Sequence, residues 1–471
     1  MTQLNYPQII QGGMGIGVSN WKLANAVSSL GQLGVISGTA IDNVIVRRLQ
    51  LGDIDGAIRR ALQNFPLPRI ANNIIERYFI PNGKAKDAPF KSPPMFSLNS
   101  PEHLIDLAVA SSFVETFLAK EGHGNPVGIN LLTKVKLPNI PILFGAILAG
   151  IDYVLMGAGI PLKIPGVLDD LVHGKETGQE IETTGKQSSW WQGFDPKKYF
   201  PTEYPKLNRP QFFPIISSTV LALTFAKKAN GKVDGFIIES PTAGGHNAPP
   251  RDKRSVTASG EPIYTDRDAP DLEKIKQLNI PFWLAGGFAS KENIQKAKSL
   301  GAEGVQIGTA FAMCNESGLT QDLKSRIIEK VINGSIKVRT DPRLSPTGFP
   351  FKVTQLEGTL ADADIREQRI QRCDLGYLRE IHVEADDKVT YRCPAEDERG
   401  YLRKGGSVEE KTGRQCLCNS LCAAVGLAQT RQGYQEPPLV TAGDSLDEIK
   451  TFIGPDRNAY SAADVIHKLL Q

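Results

Sequence analysis

The chain alternates short apolar runs with longer segments whose apolar residues recur at helical spacing. In the first unit, an apolar run at 7–11 leads into a glycine-rich turn at 12–15. A helical apolar face then covers 21–27, and the next apolar run is 33–37. Ser19 is expected to cap the helix, because a serine oxygen accepts backbone N–H bonds there. Strand, helix and strand in this order form a βαβ unit, which requires a parallel sheet.

The same alternation continues along the chain. Further strands are predicted at 126–131, 152–156, 212–217, 235–239, 281–285 and 304–307, with helical segments between them. Seven or eight strands alternating with helices favour a closed TIM-type (β/α)₈ barrel over an open doubly wound sheet. With 471 residues, the chain is long enough for a barrel and an extension.

Three segments do not follow the barrel pattern, which is expected to occupy residues 1–336. The stretch at about 64–95 is rich in proline and is interpreted as an insertion. The polar stretch at about 175–210 is interpreted as a long loop or lid. From 337 to 471 the alternation stops, which predicts a C-terminal extension packed on the barrel.

Charge and hydropathy narrow the classes of partner. With 54 basic and 51 acidic residues, the formal net charge is +3, which argues against nucleic acid or an anionic membrane as the main partner. The most apolar stretch, 140–162, contains Asp152, glycines and prolines, and therefore predicts a buried helix and a strand rather than a membrane span. No signal peptide is visible at the N-terminus. A small-molecule substrate and a cytoplasmic location are expected, and the pattern does not specify an oligomeric state.

Five of the six cysteines lie in the extension. Cys418 and Cys422 have a zinc-knuckle spacing, but no second such pair accompanies them, and Cys416 is too close to Cys418 for a knuckle. Reduced, buried cysteines are the favoured interpretation, and no metal centre is expected.

Glycines gather where the last two predicted barrel strands end. Gly286, Gly287 and Phe288 follow one strand, and Gly308 and Thr309 follow the next. Many barrels bind phosphate on the loops after strands seven and eight. Backbone N–H groups at these turns could hold a phosphate dianion without Lys or Arg. The alternative is that the glycines serve only tight turns.

The sharpest single motif is Gly244-Gly245-His246, which follows the predicted strand 235–239. His246 is therefore expected to project over the barrel mouth. A histidine there could exchange protons near neutral pH. The alternative is a structural histidine whose ring bonds to a carbonyl group. No HExxH, Walker A or GxSxG motif occurs.

In this order, the motifs resemble those of the nitronate monooxygenase family, also called 2-nitropropane dioxygenases, and of its enoyl-ACP reductase relatives. The resemblance covers about residues 5–312. The matching segments are the N-terminal run 11–19, the Gly-Val-Asn-like strand 127–131, the histidine signature 243–246 and the two phosphate turns at 285–287 and 304–309.

The resemblance implies an FMN-binding barrel, with the phosphate on the last two loops and His246 as the catalytic acid or base. It also implies a set of cofactor-binding residues: Gly13, Met14, Gly15, Asn130, Glu239, Gly244, Gly245, Gly286, Gly287, Phe288, Gly308 and Thr309. Three positions depart from the family pattern. Gly13 replaces a proline, and Thr242 stands where many members have an acid. Glu239 stands where monooxygenases tend to have Gln and enoyl reductases tend to have Glu.

The first function that the resemblance implies is oxidation of alkyl nitronates with O₂. The alternative is an FMN- and NAD(P)H-dependent enoyl-thioester (enoyl-ACP) reductase of fatty-acid or polyketide type, with acyl carrier protein as a potential partner. In that case Trp190 and Trp191 could line a groove for the acyl chain. A third alternative is a flavin- or phosphate-binding regulatory barrel, since fold alone does not fix function.

Overall fold

Eight parallel strands form the central barrel of the computed structural model, which describes residues 6–186, 189–454 and 458–471. The strands are Ile9–Gln11, Gly34–Ser37, Val127–Leu132, Tyr153–Gly157, Gln211–Ile216, Phe236–Glu239, Phe282–Ala285 and Gly304–Ile307. Each pairs with its neighbours in chain order, and the first pairs with the last. A bridge between Ile10 and Leu33 joins the first two strands. The predicted TIM-type (β/α)₈ barrel is confirmed.

Helices surround the barrel. They are Trp21–Ser29, Ile41–Gln50, Ala57–Gln63, Pro68–Tyr78, Glu102–Lys120, Asn139–Leu148, Ile164–Val172, Thr219–Lys228, Leu272–Lys276, Lys291–Ser299, Thr309–Ala312 and Gln321–Ile332. No helix in the described ranges is both long enough and apolar enough to cross a membrane. The absence of a visible signal peptide was inferred from the N-terminal residues, of which 1–5 lie outside the described residues.

The first helix has a different cap from the one predicted. Asn20, not Ser19, accepts the N–H of Leu23 at 3.0 Å. Ser19 instead ties the glycine turn together, because its hydroxyl donates to the Gly12 carbonyl at 3.0 Å and accepts the N–H of Met14 at 2.9 Å. Serine and asparagine are both favourable N-cap residues, so the sequence alone does not distinguish Ser19 from Asn20. Because Ser19 bonds to the turn, Asn20 is the cap.

The barrel interior is filled by large apolar side chains. Trp283, Phe213 and Tyr153 are buried there together with aliphatic residues from the other strands. The ring centroids of Phe213 and Trp283 lie 4.8 Å apart, and the Trp283 indole N–H donates to the Pro7 carbonyl at 2.8 Å. The barrel is therefore a packed core, and a ligand can bind only at its ends.

The two predicted insertions have regular structure. The proline-rich stretch contains the helix Pro68–Tyr78, which begins with proline at a position where the ring is tolerated. The stretch predicted as a loop contains an antiparallel hairpin of Thr177–Glu182 and Ser189–Phe194. The loop prediction was wrong here, because the two strands contain β-branched and aromatic residues, which favour strand pairing even in a polar segment. Residues 187–188 of this stretch lie outside the described residues.

The chain after residue 336 covers the end of the barrel where the strands terminate. Its strands are Val338–Asp341, Phe351–Thr354, Glu380–Val383, Val389–Arg392, Thr430–Arg431 and Tyr434–Gln435. Its helices are Ala363–Gln368, Glu398–Arg403, Val408–Lys411, Leu417–Ala424, the 3₁₀ turn Leu446–Phe452 and Ala462–Leu470. Ser461 caps the last helix. Buried side chains of the segment share one hydrophobic core with the barrel helices.

Candidate active site

A cavity of about 250 Å³ lies at the carboxyl ends of the barrel strands. All thirteen residues singled out from the sequence line it: Gly13, Met14, Gly15, Asn130, Glu239, Gly244, Gly245, His246, Gly286, Gly287, Phe288, Gly308 and Thr309. They come from turns that are far apart in the chain. The closed barrel brings these turns together, because all parallel strands present their carboxyl ends on one side.

Residues after 336 form the other wall of this cavity. The segment 439–443 runs across the turns that follow the sixth and eighth strands. The hydroxyl of Thr441 accepts the N–H of Gly245 at 2.8 Å, and the hydroxyl of Thr309 accepts the N–H of Gly443 at 2.8 Å. Sequence patterns of the barrel gave no sign of this wall, because its contacts join residues more than a hundred positions apart.

His246 faces the cavity and is held from two sides. Its Nε2 lies 2.7 Å from the hydroxyl oxygen of Ser345, which is fully buried. The ring of Phe351 packs edge-on against the imidazole, with centroids 4.8 Å apart. Burial, and to a lesser degree the Lys134 ammonium, lowers the pKa of His246 to about 4. Removal from water disfavours the charged form of the ring, and proton exchange by His246 near neutral pH stays a prediction.

Glu239 ends the sixth strand and also lines the cavity. Its carboxyl group forms no hydrogen bond or ion pair with any other described residue. Burial raises the pKa of Glu239 to about 8, because a carboxylate loses its hydration there and gains no compensating partner. The group is therefore a neutral acid at pH 7, able to donate a hydrogen bond or a proton into the cavity.

The two turns predicted to bind phosphate present free donors to the cavity. Within the described chain, the backbone N–H groups of Gly287, Phe288, Gly308 and Thr309 donate to no protein acceptor. Gly286 and Gly287 have φ values of +95° and +74°, a conformation that other residues rarely adopt. Unpaired donors at a cavity wall need a ligand or water, so these turns can hold an anion.

Two further side chains shape the cavity beside the first turn. A Cβ atom on Gly13 would lie 2.1 Å from the Cβ of Asn130, so the position tolerates only glycine while Asn130 stays in place. The proline that the family has here would collide with Asn130. Gln306 was missed among the candidate site residues. Its buried side-chain oxygen has no protein partner among the described residues, and its side chain lines the cavity.

Other sequence candidates lie apart from the cavity. Trp190 and Trp191 are 37% and 61% exposed and do not line it, so the expectation that they line an acyl groove was wrong for this cavity. All six cysteines are free thiols, and Cys418 lines the cavity wall. Within the described ranges, no group of three or more His, Cys, Asp or Glu side chains is arranged to hold a metal ion.

Comparison with known proteins locates relatives of the barrel. Residues 202–341 match the family model of nitronate monooxygenases. A "probable nitronate monooxygenase" of Staphylococcus saprophyticus is 33% identical over 36% of this chain and 47% of its own length. One from Bacillus subtilis is 31% identical over 21% of this chain and 26% of its own. The chain thus matches about half the length of the first relative.

The solved structure of FabK from Thermotoga maritima has the same fold. It aligns with 98% of this chain and 91% of its own at a TM-score of 0.50 and 17% identity. The family model spans the loop with Gly244, Gly245 and His246 and both glycine turns of the candidate phosphate site. The resemblance of this chain to the nitronate monooxygenase family, predicted from its glycine and histidine motifs, is thereby confirmed.

Proposed function

We propose that the chain is an FMN-dependent oxidoreductase of the nitronate monooxygenase type, which oxidises alkyl nitronates with O₂. The observation that carries the proposal is the set of unpaired N–H groups at the two glycine turns, which line the same cavity as the half-buried His246. The barrel, 1–336, provides the flavin site, and the extension, 337–471, closes it. A cytoplasmic location and a small-molecule substrate belong to the same proposal.

The residues present fit FMN. Gly287, Phe288, Gly308 and Thr309 would hold the terminal phosphate with backbone donors. The unpartnered oxygen of Gln306 could accept a hydrogen bond from the ring system, and Asn130 and Met14 lie on the wall where the ring would pack. When bound, FMN would supply a centre that exchanges electrons with substrate and with O₂.

The protein's own groups would control protons and orientation. At pH 7 the imidazole of His246 is neutral, because its pKa is about 4. A neutral imidazole can accept an α-proton from a nitroalkane or hydrogen-bond to its nitro oxygens. Ser345 fixes the direction of the ring through the contact at Nε2. The segment 439–443 forms part of the cavity wall, and exclusion of bulk water by this wall would strengthen these polar interactions.

Glu239 favours a second candidate, a reductase of enoyl thioesters that uses NAD(P)H. A reduction of this class must deliver a proton as well as a hydride. Glu239 is half-buried, its carboxyl group has a pKa raised to about 8, and it lines the same cavity as His246. In this candidate function, acyl carrier protein would be the partner that delivers the substrate.

Absorbance spectroscopy distinguishes these proposals. Purified protein should be yellow, and mass spectrometry should find FMN rather than FAD, because the two turns can hold one terminal phosphate. Rapid bleaching of the flavin on anaerobic mixing with NADPH would support the reductase. Absence of bleaching, with turnover of a nitronate in air, would support the monooxygenase. A colourless protein that takes up no added FMN would contradict both and support a regulatory barrel.

A further inference from the structure

A second concave surface, which we call the basic groove, lies outside the catalytic cavity. It has a volume of about 820 Å³ and is formed by parts of the loop 249–262 and of the segment 339–350, with Arg366, Gly413 and Gln415. The groove belongs partly to the barrel and partly to the extension. None of the groove's lining residues lines the cavity.

The groove carries a strong excess of positive charge. Lys253, Arg339, Arg343 and Arg366 line it, against one carboxylate, Asp341. Asp341 already accepts the N–H groups of Arg343 and Leu344 at 2.9 and 3.0 Å, so its charge is partly compensated by the backbone.

Three of these cations lack an intramolecular role. The side chains of Lys253, Arg343 and Arg366 form no hydrogen bond or ion pair with any other residue in the described ranges. Arg339 alone has a partner, the Ser259 carbonyl, at 3.0 Å. Arginine is suited to phosphate, because its planar fork matches two phosphate oxygens. Several unpaired cations that converge on one concave surface therefore point to a polyanionic ligand.

The groove and the cavity are lined by neighbouring residues of the same two segments. His246 lines the cavity and Pro249 lines the groove, so only two residues of this segment lie between the two sites. On the facing segment, Phe351 lines the cavity and Pro350 the groove. The two segments are joined by the hydrogen bond from the Asn247 N–H to the Pro350 carbonyl at 2.9 Å. At about 3.3–3.6 Å per residue, the two sites are separated by only about 10 Å of chain.

We infer that the basic groove binds the phosphorylated adenosine diphosphate end of a co-substrate whose reactive end enters the cavity beside His246. This chemistry is shared by NADPH, which has a 2′-phosphate, and by coenzyme A thioesters, which have a 3′-phosphate. A phosphate monoester contributes about −1.5 to −2 charges at pH 7, and the diphosphate adds more. Such a ligand matches the charge of the groove.

The inference rests on the second proposed function, because alkyl nitronates carry no phosphate. It adds to that function a site on the extension that selects a phosphorylated co-substrate over an unphosphorylated one. NADH lacks the 2′-phosphate, so the groove should bind NADH less tightly than NADPH if the nucleotide is its ligand. Attraction between exposed charges is screened by salt, so binding should weaken as ionic strength rises.

Calorimetric titration of the flavin-loaded, full-length protein tests the inference. The ligands are NADPH, NADH, coenzyme A and inorganic phosphate, and the variant is Arg343→Gln with Arg366→Gln. The wild type should bind NADPH or coenzyme A, and the double variant should bind it at least about tenfold less tightly. The matched control, Lys206→Gln with Lys227→Gln, removes the same charge outside the groove and should bind like wild type.

The outcomes separate this inference from the proposed function. If the double variant loses binding of NADPH but not of coenzyme A, the nucleotide is the ligand. If it loses binding of coenzyme A but not of NADPH, the thioester is the ligand. If neither ligand binds the wild type, or if the double variant binds as tightly as the wild type, the inference is overturned. Flavin bleaching by NADPH with an unchanged KM in the double variant would support the reductase function and contradict a role of the groove in binding. If the double variant loses binding but the wild type shows no flavin bleaching, the groove is a binding site and the reductase function is contradicted.

Discussion

The imidazole of His246 and the hydroxyl of Ser345 form a hydrogen bond, with Nε2 and Oγ 2.7 Å apart. The histidine belongs to the barrel, and the serine belongs to the segment that covers it. Ser345 also accepts the N–H of Thr347 at 3.2 Å and bonds to its hydroxyl at 2.8 Å. The orientation of the candidate catalytic ring is therefore set by the extension, which makes Ser345 a positioning residue.

Replacement of Ser345 by alanine should lower kcat by up to about tenfold, since one hydrogen bond contributes about 0.5–1.5 kcal/mol. KM and flavin content should stay close to wild type, because Ser345 does not line the cavity. A double-mutant cycle distinguishes positioning from general damage. In a His246→Ala background the serine substitution should have no further effect. An equal loss in both backgrounds would show that Ser345 acts on the fold and not through His246.

His246→Ala should retain FMN and lose turnover by about a hundredfold to ten-thousandfold, the usual contribution of a general acid or base. FMN retention should persist because the proposed phosphate donors lie on other loops. With neutral nitroalkanes the defect should be large, and with preformed nitronates it should shrink, because no α-proton is left to remove. Steady-state rates with both substrates measure this difference. Full activity on the neutral substrate would show that His246 is structural.

The low pKa of His246 gives a prediction for stability. Since burial lowers the folded-state pKa from 6.5 to about 4, the unfolded chain binds more protons between these values. The free energy of unfolding should therefore fall as pH decreases through this window. His246→Ala should reduce that fall, as measured by urea unfolding at pH 4.5 and 7 with matched flavin content. An identical pH dependence in both proteins would contradict the assigned pKa.

The cavity residues of the barrel could be predicted because their signals are local. A glycine pair after an apolar run indicates a turn at a strand end, and the alternation of strands and helices indicates that such ends converge. Gly287 and Gly308 were found in this way, although they come from different βα units. The sequence resemblance added Asn130 and Glu239, which no local pattern would have selected.

Ser345, Thr441 and Gln306 could not be found in the same way. Ser345 and Thr441 reach the site through contacts with residues 99 and 196 positions away, and periodicity within one segment carries no information on such contacts. Gln306 lies inside the strand Gly304–Ile307. No local sequence pattern distinguishes it from residues with a purely structural role. Burial is also the main cause of the lowered pKa of His246 and the raised pKa of Glu239, and residue type alone carries no information on burial.

Gly287→Val should weaken FMN retention while the barrel stays folded. The substitution places a side chain where the free N–H groups meet the phosphate, and it also strains a residue with φ of +74°. Gly122→Val is the matched control, because Gly122 has φ of +81° and nothing lies within 4 Å of a Cβ there. Both variants should lose similar stability, but only the first should lose flavin, as measured by the absorbance ratio after gel filtration. Equal flavin content in the two variants would show that the phosphate lies elsewhere.

The cysteines of the extension should stay reduced and free of metal. Burial raises the pKa of the Cys416 thiol to about 12 and that of Cys418 well above its usual value, so little reactive thiolate is present. Elemental analysis of the purified protein should find less than about one zinc or iron per chain, since a closed structural site needs four ligands. Alkylation should be slow in the native protein and rapid after unfolding. A stoichiometric metal lost on alkylation would overturn this prediction.

Glu239→Gln tests whether the Glu239 carboxyl group is neutral. The folded-state pKa of Glu239 is raised from 4.5 to about 8, so between these values the folded protein binds a proton that the unfolded chain has released. By linkage, the free energy of unfolding of the wild type should fall as pH rises from about 5 to 8. The amide cannot ionise, so the variant should lose this dependence and gain stability relative to wild type as pH rises. Glu329→Gln, at an exposed position, should keep the wild-type dependence.

The same substitution separates the two candidate functions. If Glu239 delivers the proton in an enoyl-thioester reduction, wild-type activity should fall as pH rises through about 8, because the carboxyl group loses that proton. The Gln variant should then have low turnover at every pH, with flavin bleaching by NADPH preserved. If the enzyme oxidises nitronates, the neutral amide can replace the neutral acid as a hydrogen-bond donor, and activity should stay within about tenfold of wild type. Rates with each substrate class between pH 6 and 9 measure the difference. A pH profile that is the same in wild type and variant would show that Glu239 neither donates a proton nor titrates in the working range.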